Sequence, residues 1–161
     1  MKKGFFPGEK GTDGKGRRAK DNKSGISQFN YRFDGTIGGN NYSYSLSSKD
    51  GAVTFKYESM VYPKLGEAET AAESEVLDRL FEAYLEYRLA EWDGYSKYNT
   101  MVCDGEGFSL SIRFNDGAFL FADGSNAFPP RYAEFVGAMS AILDPLRDRI
   151  LSSADKEQLR E

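Results

Sequence analysis

Phe108-Ser-Leu-Ser-Ile-Arg-Phe-Asn-Asp-Gly-Ala-Phe-Leu-Phe121 carries the plainest hairpin pattern in the chain. Phe108, Leu110, Ile112 and Phe114 alternate with Ser109, Ser111 and Arg113, the period of two of a strand with one buried face. Asp116-Gly117 fits the two left-handed positions of a type I′ turn. With those two residues as the loop, Asn115 stands opposite Ala118, Phe114 opposite Phe119 and Ile112 opposite Phe121. That register predicts every large aromatic on one side of the sheet.

The same period recurs upstream. Phe29, Tyr31 and Phe33 alternate with Gln28, Asn30 and Arg32; Tyr42, Tyr44 and Leu46 with Ser43, Ser45 and Ser47; Val53, Phe55 and Tyr57 with Thr54, Lys56 and Glu58. These are three strands. Asp50-Gly51 closes a hairpin that sets Leu46 opposite Phe55 and Tyr44 opposite Tyr57. The Gly-rich connection from Asp34 to Asn41 admits a bulge, a long loop or a direct hairpin.

Downstream the period changes. Thr70-Ala-Ala-Glu73 has the form of a capping box, and Val76, Leu77, Leu80, Phe81, Tyr84, Leu85, Leu89 and Trp92 follow at helical spacing until Gly94. Tyr95 to Asn99 reads as a polar link, and Met101-Val102-Cys103 as the start of the strand that enters the opening hairpin. Pro129-Pro130 then introduces a second helix carrying Tyr132, Phe135, Val136, Met139, Ile142, Leu143 and Leu146, which Pro145 would kink or end. The pattern is βββ-α-ββ-α. It predicts an α+β, two-layer fold: an antiparallel sheet of about five strands with two amphipathic helices packed on one face.

Composition and charge bound the organisation. With 40% apolar and 14% aromatic residues over 161 positions, the chain can bury one sizeable core, so residues 25–147 read as a single domain. Residues 1–24 hold eight Lys/Arg against three Asp/Glu and few apolar side chains, and read as a disordered basic arm, either a spacer or a tether to an anionic surface. Residues 148–161 read as a charged, fraying tail. The remaining body, 25–161, has thirteen Lys/Arg against twenty-two Asp/Glu, which argues against nucleic acid as the folded domain's partner. No apolar run approaches the roughly 18 residues of a membrane span. The chain as it stands reads as soluble, and a cytoplasmic protein and an exported one whose leader has been removed read alike.

Chemistry is sparse. With no histidine, Ser-His-Asp, Cys-His and His-containing metal sites are excluded, and no cofactor motif is present. The single Cys103 cannot form an internal disulfide and, in an apolar run, reads as an inert thiol. Asp93, Asp104, Asp116 and Asp123 each precede Gly and read as turn residues. Asp104 with Glu106 is the least poor acid and base pair, yet it singles out no catalytic residue. Gly105-Glu-Gly107 is followed by a strand where a phosphate loop needs a helix.

Binding candidates are better placed. With both helices on one face, the other displays Arg32, Ser43, Ser45, Ser47, Thr54, Lys56, Glu58, Ser109, Ser111 and Arg113, a wettable surface able to hydrogen-bond a sugar, a peptide or a partner sheet, or simply a solvated one. Arg88 falls on the core-facing row Val76, Leu80, Tyr84, Trp92, either snorkelling or stacking on Trp92, or anchoring a ligand carboxylate. Tyr62, Tyr95 and Tyr98 lie in loops as contact candidates.

Gly39-Asn-Asn-Tyr-Ser-Tyr-Ser-Leu46, Trp92-Asp-Gly-Tyr95, the run from Asp104 to Gly117 and Ala122-Asp-Gly-Ser-Asn-Ala-Phe-Pro-Pro130 resemble a group of uncharacterised, often exported proteins of gut-dwelling anaerobic bacteria. The resemblance covers roughly residues 25–145 and implies export, with the basic arm as a spacer, and no activity. The expected function is a non-enzymatic binding or interaction domain with a protein or glycan partner. The alternatives are a carboxylate-based hydrolase acting on a carbohydrate or peptide, and an architectural spacer domain.

Overall fold

The computed structural model describes residues 25–35, 41–59, 67–101 and 105–158. Strand β1 (Ile26–Asp34) pairs antiparallel with β2 (Tyr42–Lys49), setting Phe33 opposite Tyr42, so the Gly-rich connection joins two directly paired strands. β2 pairs with β3 (Ala52–Ser59) across Asp50 and Gly51, both at positive φ (52° and 79°), in the two-residue turn the sequence predicts. Leu46 faces Phe55 and Tyr44 faces Tyr57, as expected.

The architecture is α+β, and the sheet has seven strands where about five are expected. β4 (Glu67–Ala72) extends β3 over residues that read as a capping box. The competition is between about 1 kcal/mol from a cap and a whole ladder of hydrogen bonds on the otherwise bare edge of β3. The ladder wins, with Ala68, Thr70 and Ala72 turned toward the core layer and Glu67, Glu69 and Ala71 exposed. Helix α1 (Glu75–Glu86) starts after Ser74, whose side chain makes no capping bond. The polar link contains β5 (Ser96–Tyr98), which runs parallel to β7 (Phe119–Ser125). With β6 (Gly107–Phe114), the order is β4-β3-β2-β1-β6-β7-β5. Met101 lies in a turn and is exposed, and the Val102-Cys103 part of the expected strand falls outside the described residues.

The opening hairpin departs from its predicted register. Phe114 N–H donates to Ala118 O at 2.8 Å, so Asn115, Asp116 and Gly117 form a three-residue loop in which only Gly117 has positive φ (85°). Asp116 Oδ1 accepts from Ala118 N–H at 2.9 Å and closes the loop. Arg113 therefore pairs with Phe119, Ile112 with Leu120 and Ser111 with Phe121. Moving the pairing by one residue inverts β7. Ala118, Leu120 and Ala122 are buried, while Phe121 is 47% exposed on the opposite face. The expectation that all the aromatics of this stretch share one side holds for Phe108 and Phe114 and fails for Phe119 and Phe121.

Helix α1 ends earlier than its apolar spacing predicts. Arg88 adopts the left-handed conformation (φ 54°, ψ 47°), and Leu89–Trp92 follow as a short 3₁₀ turn. The break removes Arg88 from the buried row and leaves it exposed, and brings Leu89 and Trp92 into the core; Leu85, inside the helix, is also exposed. Trp92 packs edge-on to Phe135 at 5.4 Å, and its indole N–H donates to Pro130 O. Arg131 clamps the break: its Nε donates to Tyr87 O at 2.8 Å, and its Nη2 lies 2.7 Å from Glu91. Helix α2 (Tyr132–Gln158) runs through Pro145 and over the residues expected to fray, with Ile150 buried and Arg149 bonded to Ala71 O. Pro145 is exposed, and its missing N–H leaves only one helical bond unmade.

Both helices contact the same face of the sheet. Tyr84 of α1 meets Phe114 at 5.0 Å; from α2, Phe135 meets Phe29 at 6.4 Å and Tyr132 meets Phe108 at 4.8 Å. Polar atoms in this layer find partners: Tyr31 and Tyr132 hydroxyls are 2.6 Å apart, and Tyr44 O–H donates to Asp144 Oδ1 at 2.7 Å with Arg147 beside both. Burial pushes the Tyr31 and Tyr44 hydroxyls well above the ordinary phenol range, and pushes Tyr132 up to about 12. Such hydroxyls stay protonated and act as hydrogen-bond donors.

Candidate functional site

The register assembles the face away from the helices into three lateral rows. Glu58, Ser43, Arg32, Ser109 and Asp123 form the first; Lys56, Ser45, Asn30, Ser111 and Phe121 the second; Thr54, Ser47, Gln28, Arg113 and Phe119 the third. Period-two alternation puts them there, most of them flanked on both sides by residues that face the core. An extra residue at Ser27, where the β1–β6 register shifts, keeps Ile26 buried at the sheet's end.

This face is hollowed over β1, β2 and β3. A groove of about 350 Å³ lies there, lined by Gln28, Asn30, Ser43, Ser45, Ser47, Thr54, Lys56, Glu58 and Glu67. Its floor is hydroxyl and amide, and charges stand at its margin. Lys56 Nζ lies 3.0 Å from Glu67 and 3.9 Å from Glu69, and the hydrogen bond to Glu67 raises its pKa. Arg32 Nε bonds Asp34 Oδ1 at 2.9 Å, and Asn30 Nδ2 donates to Ser111 Oγ at 3.3 Å. The floor of the groove therefore offers neutral donors and acceptors, while Lys56, Glu58 and Glu67 carry charge at its margin and the cations Arg32 and Lys56 are tied to carboxylates.

Of the residues singled out from sequence, Arg32, Ser43, Ser45, Lys56, Ser111 and Arg113 all stand on this face. Ser43, Ser45 and Lys56 line the groove itself. Arg32 borders a smaller hollow of about 60 Å³ with Asn41, Tyr42, Ser43 and Glu58. Arg88 is corrected: it sits at the break after α1, in the helical layer, away from the sheet's open face. The loop tyrosines separate. Tyr95 is half-buried on the core side, 6.4 Å from Phe108, with Lys97 Nζ 5.3 Å from its ring centroid, and burial raises its pKa. Tyr98 is 63% exposed and joins the open face, its hydroxyl donating to Asp123 Oδ2 at 2.6 Å. Tyr62, Cys103 and Asp104, and with Asp104 the acid–base pair it would form with Glu106, lie outside the described residues, as does the basic arm.

Sequence reasoning misses Phe121 and Asp123. The two-residue turn assigns the first to the core, and the following glycine assigns the second to turn chemistry. Asp123 is in mid-strand, opposite Ser109, and its Oδ1 is shielded from solvent without a hydrogen-bond partner among the described residues. Leaving such an acceptor unmade costs about 1–3 kcal/mol, so it marks a place where something else pays back the loss or a ligand supplies the donor. The signal available in the sequence is Asn115-Asp-Gly117, which suits a three-residue loop with glycine at its left-handed position as well as it suits a two-residue one.

Among the described residues no three Asp, Glu or Cys side chains gather as a metal site requires, and no helix is long and apolar enough to cross a membrane. A scan against protein-family models and a search of curated proteins found no match to this chain.

Proposed function

We propose that this is a non-enzymatic binding domain whose open sheet face takes an extended, polar, uncharged ligand. The observation that carries the reading is the groove over β1, β2 and β3, whose floor is short hydroxyls and amides while the neighbouring Lys56 is neutralised by Glu67. Short side chains on a rigid ladder lose little rotamer freedom when they bind, so a row of them is a preorganised set of hydrogen-bonding groups. The core-facing tyrosines are held protonated by burial and bonded to one another or to α2, which is a structural use of their hydroxyls.

The test is a plug in the floor of the groove. Ser45→Arg introduces a long side chain at the centre of the face without touching the core. Wild-type protein should give signals on an array of immobilised oligosaccharides and peptides, and Ser45→Arg should lose them while melting at the same temperature. Signals that survive the plug, or none with the wild type, would sink the proposal.

A further inference from the structure

Resting on that reading, we infer that the ligand is a neutral oligosaccharide, and that its site runs from the Ser45 groove across β6 to an aromatic shoulder formed by Phe121, Asp123 and Tyr98. Phe121 lies in the same lateral row as Ser45, Asn30 and Ser111, and the residue is 47% exposed. With strands about 4.8 Å apart, β7 stands about 14 Å from β2, a span that takes several linked sugar rings. A sugar ring presents apolar C–H faces and hydroxyl-bearing edges. The row matches both, with an aromatic plane at one end and hydroxyl and amide groups along its length.

Asp123 supplies the second, independent observation. Tyr98 O–H fixes one carboxylate oxygen at 2.6 Å and leaves Oδ1 as an acceptor with no donor among the described residues. An uncharged polyol brings hydroxyl donors without an ionic group to desolvate. Tyr98, 63% exposed and bonded to the same carboxylate, stands at this end of the face, so a ligand lying over Phe121 meets the Tyr98–Asp123 pair. A peptide is the poorer occupant. The backbone groups of β1, β2, β3 and β6 are consumed within the sheet, so the face has no free ladder for an extended chain to join. Charge also favours the neutral ligand along this row, whose one cation, Lys56, is matched to Glu67, as Arg32 in the next row is to Asp34.

The experiment is affinity electrophoresis of the full chain in gels containing, in turn, a soluble β-glucan, α-glucan, mannan or xylan. A pool of fluorescent random peptides, read by polarisation, runs beside it. At least one polysaccharide should retard the wild type, and Phe121→Ala and Asp123→Asn should each weaken that interaction about tenfold or more without lowering the melting temperature. Because Phe121 is exposed, its truncation tests the shoulder even should the Asp123 variant fold poorly. Peptide binding without polysaccharide binding overturns the ligand class. Retardation abolished by Ser45→Arg but untouched by Phe121→Ala overturns the aromatic shoulder and leaves the groove standing. No binding to either probe removes both.

Discussion

Single hydroxyls decide much of how the helical layer meets the sheet. Tyr31 is 2% exposed and Tyr44 1% exposed, yet each buried phenol has a partner, Tyr132 and Asp144 respectively. Tyr31→Phe strands the Tyr132 hydroxyl and should cost about 1 kcal/mol in urea unfolding at pH 8. The same residues set an alkaline limit. In the unfolded chain a tyrosine ionises near pH 10, whereas burial holds Tyr132 protonated to about 12 and Tyr31 and Tyr44 beyond that. Above pH 10 the unfolded state binds fewer protons than the folded one, so stability is full below that pH and falls as pH rises. Each such tyrosine contributes up to about 1.4 kcal/mol per pH unit, for Tyr132 over the window from about 10 to 12. Urea midpoints measured at pH 8, 10 and 11 should fall along this curve. Tyr31→Phe should start lower and fall less steeply, and an unchanged slope would refute the role given to its hydroxyl.

Turns and strand registers are decided at the scale of elements, and the two Asp-Gly hairpins show how. Lys49-Asp-Gly-Ala52 and Asn115-Asp-Gly-Ala118 share three of four residue types or near equivalents, yet the first is a two-residue turn and the second belongs to a three-residue loop. Local turn chemistry permits both. What separates them is the strand that follows: with Ala118, Leu120 and Ala122 inward, β7 presents a low surface onto which the 3₁₀ turn carrying Leu89 and Trp92 can settle, whereas Phe119 and Phe121 would fill that space. Deleting Asn115 shortens the loop but preserves Phe114 opposite Ala118, so the variant should fold and lose about 1 kcal/mol with the Asn115 N–H to Gly25 O bond. Deleting Ala118 instead brings Phe119 opposite Phe114 and turns β7 over, and cooperative unfolding should vanish. Circular dichroism melts of the two deletions separate the outcomes; equal tolerance of both would mean that register does not hold the core. The same logic explains β4, where pairing to β3 overrides a locally good helix start, and the exposed Arg88, where a helical row is cut short to aim Trp92 at Phe108 and Phe135.

Across the whole molecule, β1 is the centre of the sheet. It joins β2, β3 and β4 on one side to β6, β7 and β5 on the other, and its Phe29 lies against both Ile112 and Phe135. Neither half closes its core without this strand and α2, so unfolding should be a single transition. Fluorescence of Trp92, which is 1% exposed beneath α2, and far-UV ellipticity of the helices should give coincident urea midpoints. Separated midpoints would show the sheet parting at β1. Alternation by itself determined β1, β2, β3 and β6, the Asp50-Gly51 turn, and the polar identity of the open face from Arg32 to Arg113, because period two assigns each side chain to a face without reference to anything distant. It also determined that two amphipathic helices exist, since their apolar spacing needs only local geometry. Tertiary structure alone decided the inversion of β7, the added edge strands and the break at Arg88. Each of these trades a local preference worth about 1 kcal/mol for burial and pairing with residues far along the chain. Phe121 and Asp123 came to the open face by that route, and their place beside Ser45 and Ser111 depends on contacts that no neighbouring residue in the sequence encodes.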